Sequence, residues 1–549
     1  MLTDTPGGGQ NWTPMVGHFS MLFDNLMAGP LRHPIVLLAV LCGLILLYFG
    51  LRLNHWGEER AWSVAILKDD LGNSRKADLL EKLGLPVTLP RQQRDSSALI
   101  AAAREDTRNL PPSAMRVVAI RVSDEDLYDA ETGLRTNSRE RGRNWERPAG
   151  IVVMQDGREI LAAPAGIRLQ GNRDTRDMLH SFRLYFRNSY GMKNVPGKAF
   201  LDGSRMKIRK VVTRAEKNLV PGFVNMLAFD VARRIGSTTP DYAPILLYRN
   251  GENLGLALSS EHVNRKHWER KLGHKNFAFY MLESENSVLD TAQYKALRLR
   301  MDPFFALWDY ERVAEILDMD DFMNSMVSFA FLQWQDWNQG AFLLDKTEAE
   351  PRWRWVLWDA DLAFAGLRPD GVPEKRAQWK SLRDAHGMRA AVFKGMWTNS
   401  PQFQKKLLHK LAWNINHRLT PEWITERVNH YARIEKASGI ECFDEDLALA
   451  YLLERRRDLL KETVADLNAP QVVKCRIESM QPLIIDGVEF RGTYDGMYFN
   501  GQTATIEAPS PDNFSHWVVN GVQIRDAHLH ITLQKDIEIT AVFLQPTAP

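Results

Sequence analysis

The stretch FLQWQDWNQGAFLLDKTEAEPRWRWVLWDADLAF, residues 331–364, places acidic side chains among aromatic and aliphatic ones. Asp336 lies near its start, and Asp359 and Asp361 lie near its end. Burying an unpaired carboxylate is costly, so the fold must give each of these groups water, a cation or hydrogen-bond donors. This requirement constrains the chain more than any other sequence feature.

The segment between the acidic ends, FLLDKTEAEPRWRWVLW, is typical of a hairpin with a charged turn around Glu348–Pro351. A hairpin brings its ends together, which predicts the carboxylates on one side of a site. Two interpretations remain open. In one, Asp336 caps a turn and Asp359 or Asp361 caps the next helix. In the other, the carboxylates frame a divalent cation and a phosphate, as in phosphoryl transfer.

Composition excludes several classes of protein. A hydrophobic content of 44% and a charged content of 25% exclude a disordered or fibrous chain. With 70 basic and 68 acidic residues the net charge is +2, so no nucleic-acid partner is predicted. Three cysteines are too few for a disulfide framework, and the sequence has no CxxC motif to hold zinc.

Residues 34–51, PIVLLAVLCGLILLYFGL, carry no charged side chain. Their length is at the short end of what spans a bilayer as a helix. A buried core helix rarely runs this long without a polar residue, and no cleavage site typical of a signal peptide follows closely. We therefore expect a single transmembrane anchor over 34–53, making the membrane one partner of the protein.

Strand patterns dominate from residue 114 to residue 261, and helical patterns dominate 300–335 and 385–466. The expected fold class is α+β, two-lobed, with the anchor before it and a small all-β domain after it. The predicted domains are a short segment 1–33, the anchor 34–53, a stalk 54–112, the body 113–468 and the β-domain 471–549.

The tail from residue 471 onward consists of short predicted strands and turns, with five basic and nine acidic residues. Its motifs GQTATIEAP, HWVVNG and ITAVF resemble the small internalin-type B repeat of bacterial extracytoplasmic proteins. This resemblance covers the tail alone, and it implies an envelope location.

A second resemblance covers residues 114–370. It is carried, in order, by DEDLYDAETGL, RGRNWERPAG, AGIRLQGNRDTR, SFRLYF, YRNGENLGLALSSEHVN, QWQDWN and VLWDADLAF. This ordered set resembles the CotH (spore coat protein H) kinase family. The resemblance implies an atypical protein-kinase-like fold that uses ATP and Mg²⁺, generally in secreted or surface proteins.

The resemblance also implies roles for particular residues. Asp336 stands where the family has its catalytic aspartate, and Asp359 stands where it has the magnesium-binding aspartate. Asp361 is a second candidate metal ligand. Glu261 stands where the family's hairpin ends in an acidic residue, and it is a candidate for cofactor binding.

The sequence departs from the family at two positions. A nucleotide-binding lysine usually precedes the strand read here as SFRLYF, and this chain has Leu179 and His180 instead. A neutral histidine cannot replace the fixed charge of lysine, so Arg183, or Lys193 and Lys198, are candidates to supply it.

The family also places an asparagine four or five residues after the catalytic aspartate, and the nearest amide here is Asn338. The expected function is transfer of a phosphoryl or other ATP-derived group to a protein or surface-polymer substrate outside the cytoplasm. The alternative is a degenerate kinase fold that acts as a binding or scaffold module.

Overall fold

The computed structural model describes most of the chain from residue 96 onward. The described ranges are 96–110, 113–171, 180–216, 222–282, 308–337, 340–367, 379–384, 388–509 and 513–544. Residues 1–91 and 142–144 group as one unit, of which only 142–144 are described. Residues 92–141 and 145–549 group as a second compact unit, which holds every element discussed below.

Nine strands are described in the first part of this unit. They are β1 Arg116–Arg121, β2 Arg147–Gln155, β3 Arg158–Leu169, β4 Phe182–Tyr185, β5 Val195–Pro196, β6 Lys207–Ile208, β7 Lys210–Ala215, β8 Tyr242–Arg249 and β9 Glu252–Glu261. Seven of them close a barrel in the order β1-β2-β3-β4-β7-β9-β8, and β5 pairs with β6. A parallel pairing of β1 with β8 completes the barrel.

Period-two alternation fixes which side chains fill the barrel. On β7, Val211 belongs to the barrel's core, whereas Arg214, on the opposite face, reaches the carboxylates described below. The turn between β8 and β9 uses Asn250 and Gly251 with φ of 50° and 81°. Positive φ at both positions is the requirement of a type I′ hairpin turn, and an Asn-Gly pair meets it.

Eleven helices are described between residues 96 and 467. They are α1 Ser96–Thr107, α2 Asp124–Tyr128, α3 Val224–Ile235, α4 Arg265–Leu272, α5 Tyr310–Ala314, α6 Met319–Leu332, α7 Trp379–Asp384, α8 Met388–Asn399, α9 Pro401–Trp413, α10 Pro421–Ser438 and α11 Glu445–Leu467. Helix α3 ends at Gly236, whose φ of 110° is the left-handed conformation that favours glycine at a helix C-terminus. Nearly every residue of α6 is buried, which makes it the central helix of the body.

A three-stranded sheet follows the order β10-β11-β12. Its strands are β10 Phe277–Leu282, β11 Gly340–Asp345 and β12 Arg354–Val356. The antiparallel pairing of β11 with β12 confirms the hairpin predicted between the acidic ends, with Ala341 opposite Val356.

The tail forms a seven-stranded sheet with its own apolar core. Its strands are β13 Val472–Ile485, β14 Val488–Phe499, β15 Thr503–Glu507, β16 Phe514–Val519, β17 Val522–Ile524, β18 His528–Thr532 and β19 Ile537–Phe543. This sheet also contacts the helical body. Phe499 packs into the body's core, and Asn416 exchanges hydrogen bonds of 3.0 and 2.9 Å with the backbone of Met497.

The predicted fold class is wrong in its membrane helix. The part of the chain that the structure describes is α+β, and none of its helices is long and apolar enough to cross a membrane. The predicted anchor, 34–53, lies outside the described residues. The body and the tail sheet belong to the same compact unit. At the end of the predicted stalk, α1 packs so closely on β2 that a Cβ on Gly150 would lie 2.4 Å from the backbone of Leu99.

Candidate active site

Asp336 lies in a short turn directly after α6. The helix ends at Gln333, whose φ of 47° and ψ of 49° are left-handed. Arg455 from α11 binds the last turn, with its Nε donating to the carbonyl of Phe331 and its Nη2 to that of Ala330, both at 3.1 Å. The packed helices therefore fix the point from which the Asp336 turn leaves.

The Asp359 segment runs beside the Asp336 turn. Trp334 donates from its indole Nε1 to the carbonyl of Asp359 at 3.2 Å, and the backbone N–H of Gln335 donates to Leu362 at 3.0 Å. Asp359 itself has φ 60° and ψ 60°, an uncommon conformation for a non-glycine residue. The hydrogen bonds between the segments over-determine this conformation, as is common at functional sites.

Arg214 from β7 contacts both carboxylates of the second segment. Its Nη1 contacts Oδ1 of Asp359, and its Nη2 donates to Oδ2 of Asp361 at 2.5 Å. The three side chains are 20%, 26% and 18% exposed, respectively, so the ion pairs are only partly screened by water. A barrel strand thus supplies one cation to two carboxylates.

The interpretation of Asp359 as a helix cap is not supported. Asp359 precedes a single 3₁₀ turn, Ala360–Leu362, in the N-cap position, but its side chain makes no capping hydrogen bond. The carboxylate is directed to Arg214 instead. Its partner in the fold is therefore a distant strand rather than the local backbone.

Charge coupling indicates that Asp336 is near the pair. Burial raises the pKa of Asp361, and after the opposing effect of Arg214 the charges of Asp359 and Asp336 raise it further. Burial alone would lower the pKa of Arg214, but the charges of Asp359 and Asp361 outweigh it and raise that pKa. One guanidinium shared between two carboxylates leaves the site rich in negative charge.

The donor chemistry of the site fits magnesium. Mg²⁺ prefers carboxylate oxygens and is usually bound by one or two carboxylates together with substrate phosphates. Asp359 and Asp361 provide two such groups, although Arg214 engages both. Among the described residues, no cluster of three or more His, Cys, Asp or Glu side chains is arranged to hold a metal ion.

Glu261 makes its polar contacts elsewhere. Its Oε2 accepts from the backbone N–H of Asp241 at 2.9 Å, and its carboxylate lies 3.5 Å from Nδ1 of His267 and 3.7 Å from Nζ of Lys271. Burial raises the pKa of Glu261 to about 7. These contacts tie the end of β9 to α4.

The other predicted cofactor-binding residues lie on or near the barrel. His180 places its Nδ1 3.2 Å from Nη1 of Arg249, and Arg183 donates from Nε to Oε1 of Gln170 at 2.8 Å. Lys193 and Lys198 are exposed, whereas Asn338 lies outside the described residues.

Sequence reasoning missed Arg214. The strand pattern KVVTRA contained a usable signal, because alternation places Arg214 on the face opposite the core residue Val211. An arginine there, at the strand end that precedes a buried helix, needs a carboxylate partner. Nothing local indicates which carboxylate, since Asp359 and Asp361 are far away in sequence.

A barrel strand thus delivers a basic side chain to paired carboxylates beside a third acidic turn. Comparison with family models identifies a family for this part of the chain. The family model for CotH kinase protein matches residues 167–302 and 309–438, a region that contains Arg214 and all three aspartates. The predicted resemblance to this family is thereby confirmed over those residues.

No curated protein matches the chain. The resemblance of residues 471–549 to the internalin-type B repeat stays a prediction.

Proposed function

We propose that the protein is an ATP-dependent transferase that moves a phosphoryl or another ATP-derived group to a protein or surface-polymer substrate. The observation that carries the proposal is the contact of Arg214 with Asp359 and Asp361 beside the Asp336 turn. Family membership of the matched region implies ATP and a divalent metal in general terms.

Asp336 is the proposed proton acceptor. In phosphoryl transfer, an acceptor hydroxyl gives its proton to the carboxylate while its oxygen bonds to the γ-phosphorus. The bond from that phosphorus to the bridging oxygen breaks, and ADP leaves with the bonding electrons. Because the turn is held by Arg455 and by backbone bonds, Asp336 needs little reorganisation to act.

Asp359 and Asp361 would hold magnesium, which when bound supplies charge neutralisation to the phosphates. Arg214 provides the fixed positive charge that neither Leu179 nor His180 can provide. It also keeps the two carboxylates together when nucleotide is absent.

The second candidate function is a non-catalytic binding module, and one observation favours it. Arg214 already engages both proposed metal ligands, and metal binding must compete with those ion pairs. If the competition is lost, the kinase-like fold is retained for binding alone.

Thermal unfolding with ATP and Mg²⁺ tests nucleotide binding, because a ligand that binds the native state stabilises it by about 2.7 kcal/mol at 100 times its Kd. Transfer from γ-labelled ATP then separates the candidates. A transferase should label an acceptor. The Asp336→Asn variant should lose this labelling but still bind ATP. Binding with no transfer in the wild type would support the binding module, and no stabilisation by ATP would contradict the nucleotide site in both.

The predicted location outside the cytoplasm also stays a proposal. A C-terminal reporter that is active only outside the cytoplasm would support it, and one active only inside would contradict it.

A further inference from the structure

Three neighbouring barrel strands carry basic side chains on one face. In the register of the barrel, Arg168 of β3 lies opposite Arg183 of β4, and Tyr185 of β4 lies opposite Lys210 of β7. Arg183 and Tyr185 are two residues apart, so they share a face. We call Arg168, Arg183, Lys210 and the adjacent Arg187 the cationic face.

Tyr185 lies at the centre of the cationic face. The guanidinium carbons of Arg168 and Arg187 lie 4.5 and 4.9 Å from the centroid of its ring, and Nζ of Lys210 lies 5.2 Å from it. Three cations therefore converge on one aromatic ring. Cation–π attraction compensates only part of their mutual repulsion.

The carboxylates of the described chain do not balance this charge. Glu146 pairs with Arg168 at 2.9 Å and with Arg187 at 2.8 Å. Arg183 donates to the neutral amide of Gln170. The half-buried Lys210 ammonium contacts the Tyr185 ring. Among the described residues, Arg183 and Lys210 therefore have no carboxylate partner.

The cationic face is separate from the carboxylate site. Lys210 and Arg214 lie on the same face of β7 but four residues apart, about 13 Å along a strand. The aspartate pair neutralises Arg214, whereas no carboxylate among the described residues neutralises Lys210. One phosphate group cannot contact both positions.

We propose that the cationic face is a binding site for a phosphate-type oxyanion, centred on Lys210 and Arg183. A bound dianion would place acceptor oxygens where the fold otherwise holds like charges together. Arg and Lys side chains are the usual ligands of such groups, and a charge-assisted hydrogen bond is about twice as strong as a neutral one. The site goes beyond the proposed transfer reaction and does not depend on it.

Calorimetric titration with inorganic pyrophosphate, in the absence of nucleotide and divalent metal, tests this site. Lys210→Gln and Arg183→Gln should each weaken binding at least tenfold, and Lys210→Arg should retain it. Lys207→Gln is the matched control, because Lys207 is an exposed lysine three residues earlier. Asp359→Asn should not weaken pyrophosphate binding, so this result is independent of whether the ATP site works.

Equal affinity in Lys210→Gln, Lys207→Gln and the wild type would overturn the proposal, as would no binding in any of them. Circular dichroism confirms that each variant is folded. Further titrations distinguish the sources of the oxyanion. Loss of ATP affinity in Lys210→Gln assigns the face to nucleotide phosphates, whereas loss of affinity for a phosphoserine peptide with ATP affinity retained assigns it to a phosphorylated acceptor.

Discussion

Replacing Arg214 with methionine removes the guanidinium that contacts both Asp359 and Asp361. Removing one partner of a buried ion pair costs about 3–5 kcal/mol. Because these side chains are 18–26% exposed, we expect a smaller loss of about 2–4 kcal/mol in the free energy of unfolding. Methionine keeps most of the aliphatic volume, so the loss reports mainly the missing charge.

The loss should depend on pH in a definite direction. In the wild type, burial and the neighbouring acidic charges raise the pKa of Asp361 above its ordinary value, and Arg214 opposes them. Without Arg214 this pKa rises further, so the native state of the variant binds a proton that the unfolded chain has released. Stability of the variant therefore falls as pH rises, and the deficit should be larger at pH 8 than at pH 5.

Urea unfolding followed by tryptophan fluorescence measures the effect as a shift in midpoint. Arg354→Met is the matched control, because Arg354 also bridges two carboxylates, Asp318 and Glu348, but is 36% exposed. Its loss should be about 1 kcal/mol or less. Asp361→Asn should recover part of the deficit of Arg214→Met. If Arg214→Met and Arg354→Met shift the midpoint equally, the Arg214 ion pairs contribute no more to stability than the more exposed ion pairs of Arg354.

Two further predictions concern the barrel and the tail. Burial and then the charges of Arg183, Arg187, Arg168 and Lys266 lower the pKa of Lys210 from 10.5 to about 8. The free-energy cost of holding the Lys210 ammonium in the native state is therefore fully present below pH 8, so Lys210→Met should raise the melting temperature at pH 7. The gain should disappear by about pH 10.5, where the ammonium is lost from the unfolded chain as well. A gain that is constant with pH would contradict this. Deleting residues 471–549 should make the remaining chain aggregate, because Phe499 packs into the core of the body; a soluble, monomeric chain by size-exclusion chromatography would instead support an independent tail.

Local patterns in the sequence were sufficient for elements whose determinants are close together. The Asn250–Gly251 turn, the end of α3 at Gly236 and the β11–β12 hairpin follow from backbone conformation and periodicity. Each of these needs only a few adjacent residues. The predicted juxtaposition of the acidic ends likewise depends on a single hairpin.

Features that need distant partners could not be derived in this way. The barrel closes through a parallel pairing of β1 with β8, which are more than 100 residues apart. Arg214 meets Asp361 across 147 residues. The basic residues near SFRLYF are local candidates for the missing charge, whereas Arg214 lies on a strand that reaches the carboxylates only in the folded chain.

We propose that Asp359 and Asp361 bind the magnesium of an ATP complex while Asp336 serves the transfer. Isothermal titration of ATP with and without Mg²⁺ into the wild type, Asp359→Asn and Asp336→Asn tests it most directly. We expect metal-dependent binding to the wild type, at least tenfold weaker binding to Asp359→Asn, and near wild-type affinity in Asp336→Asn. Wild-type affinity in Asp359→Asn, or no ATP binding by the wild type, would contradict it.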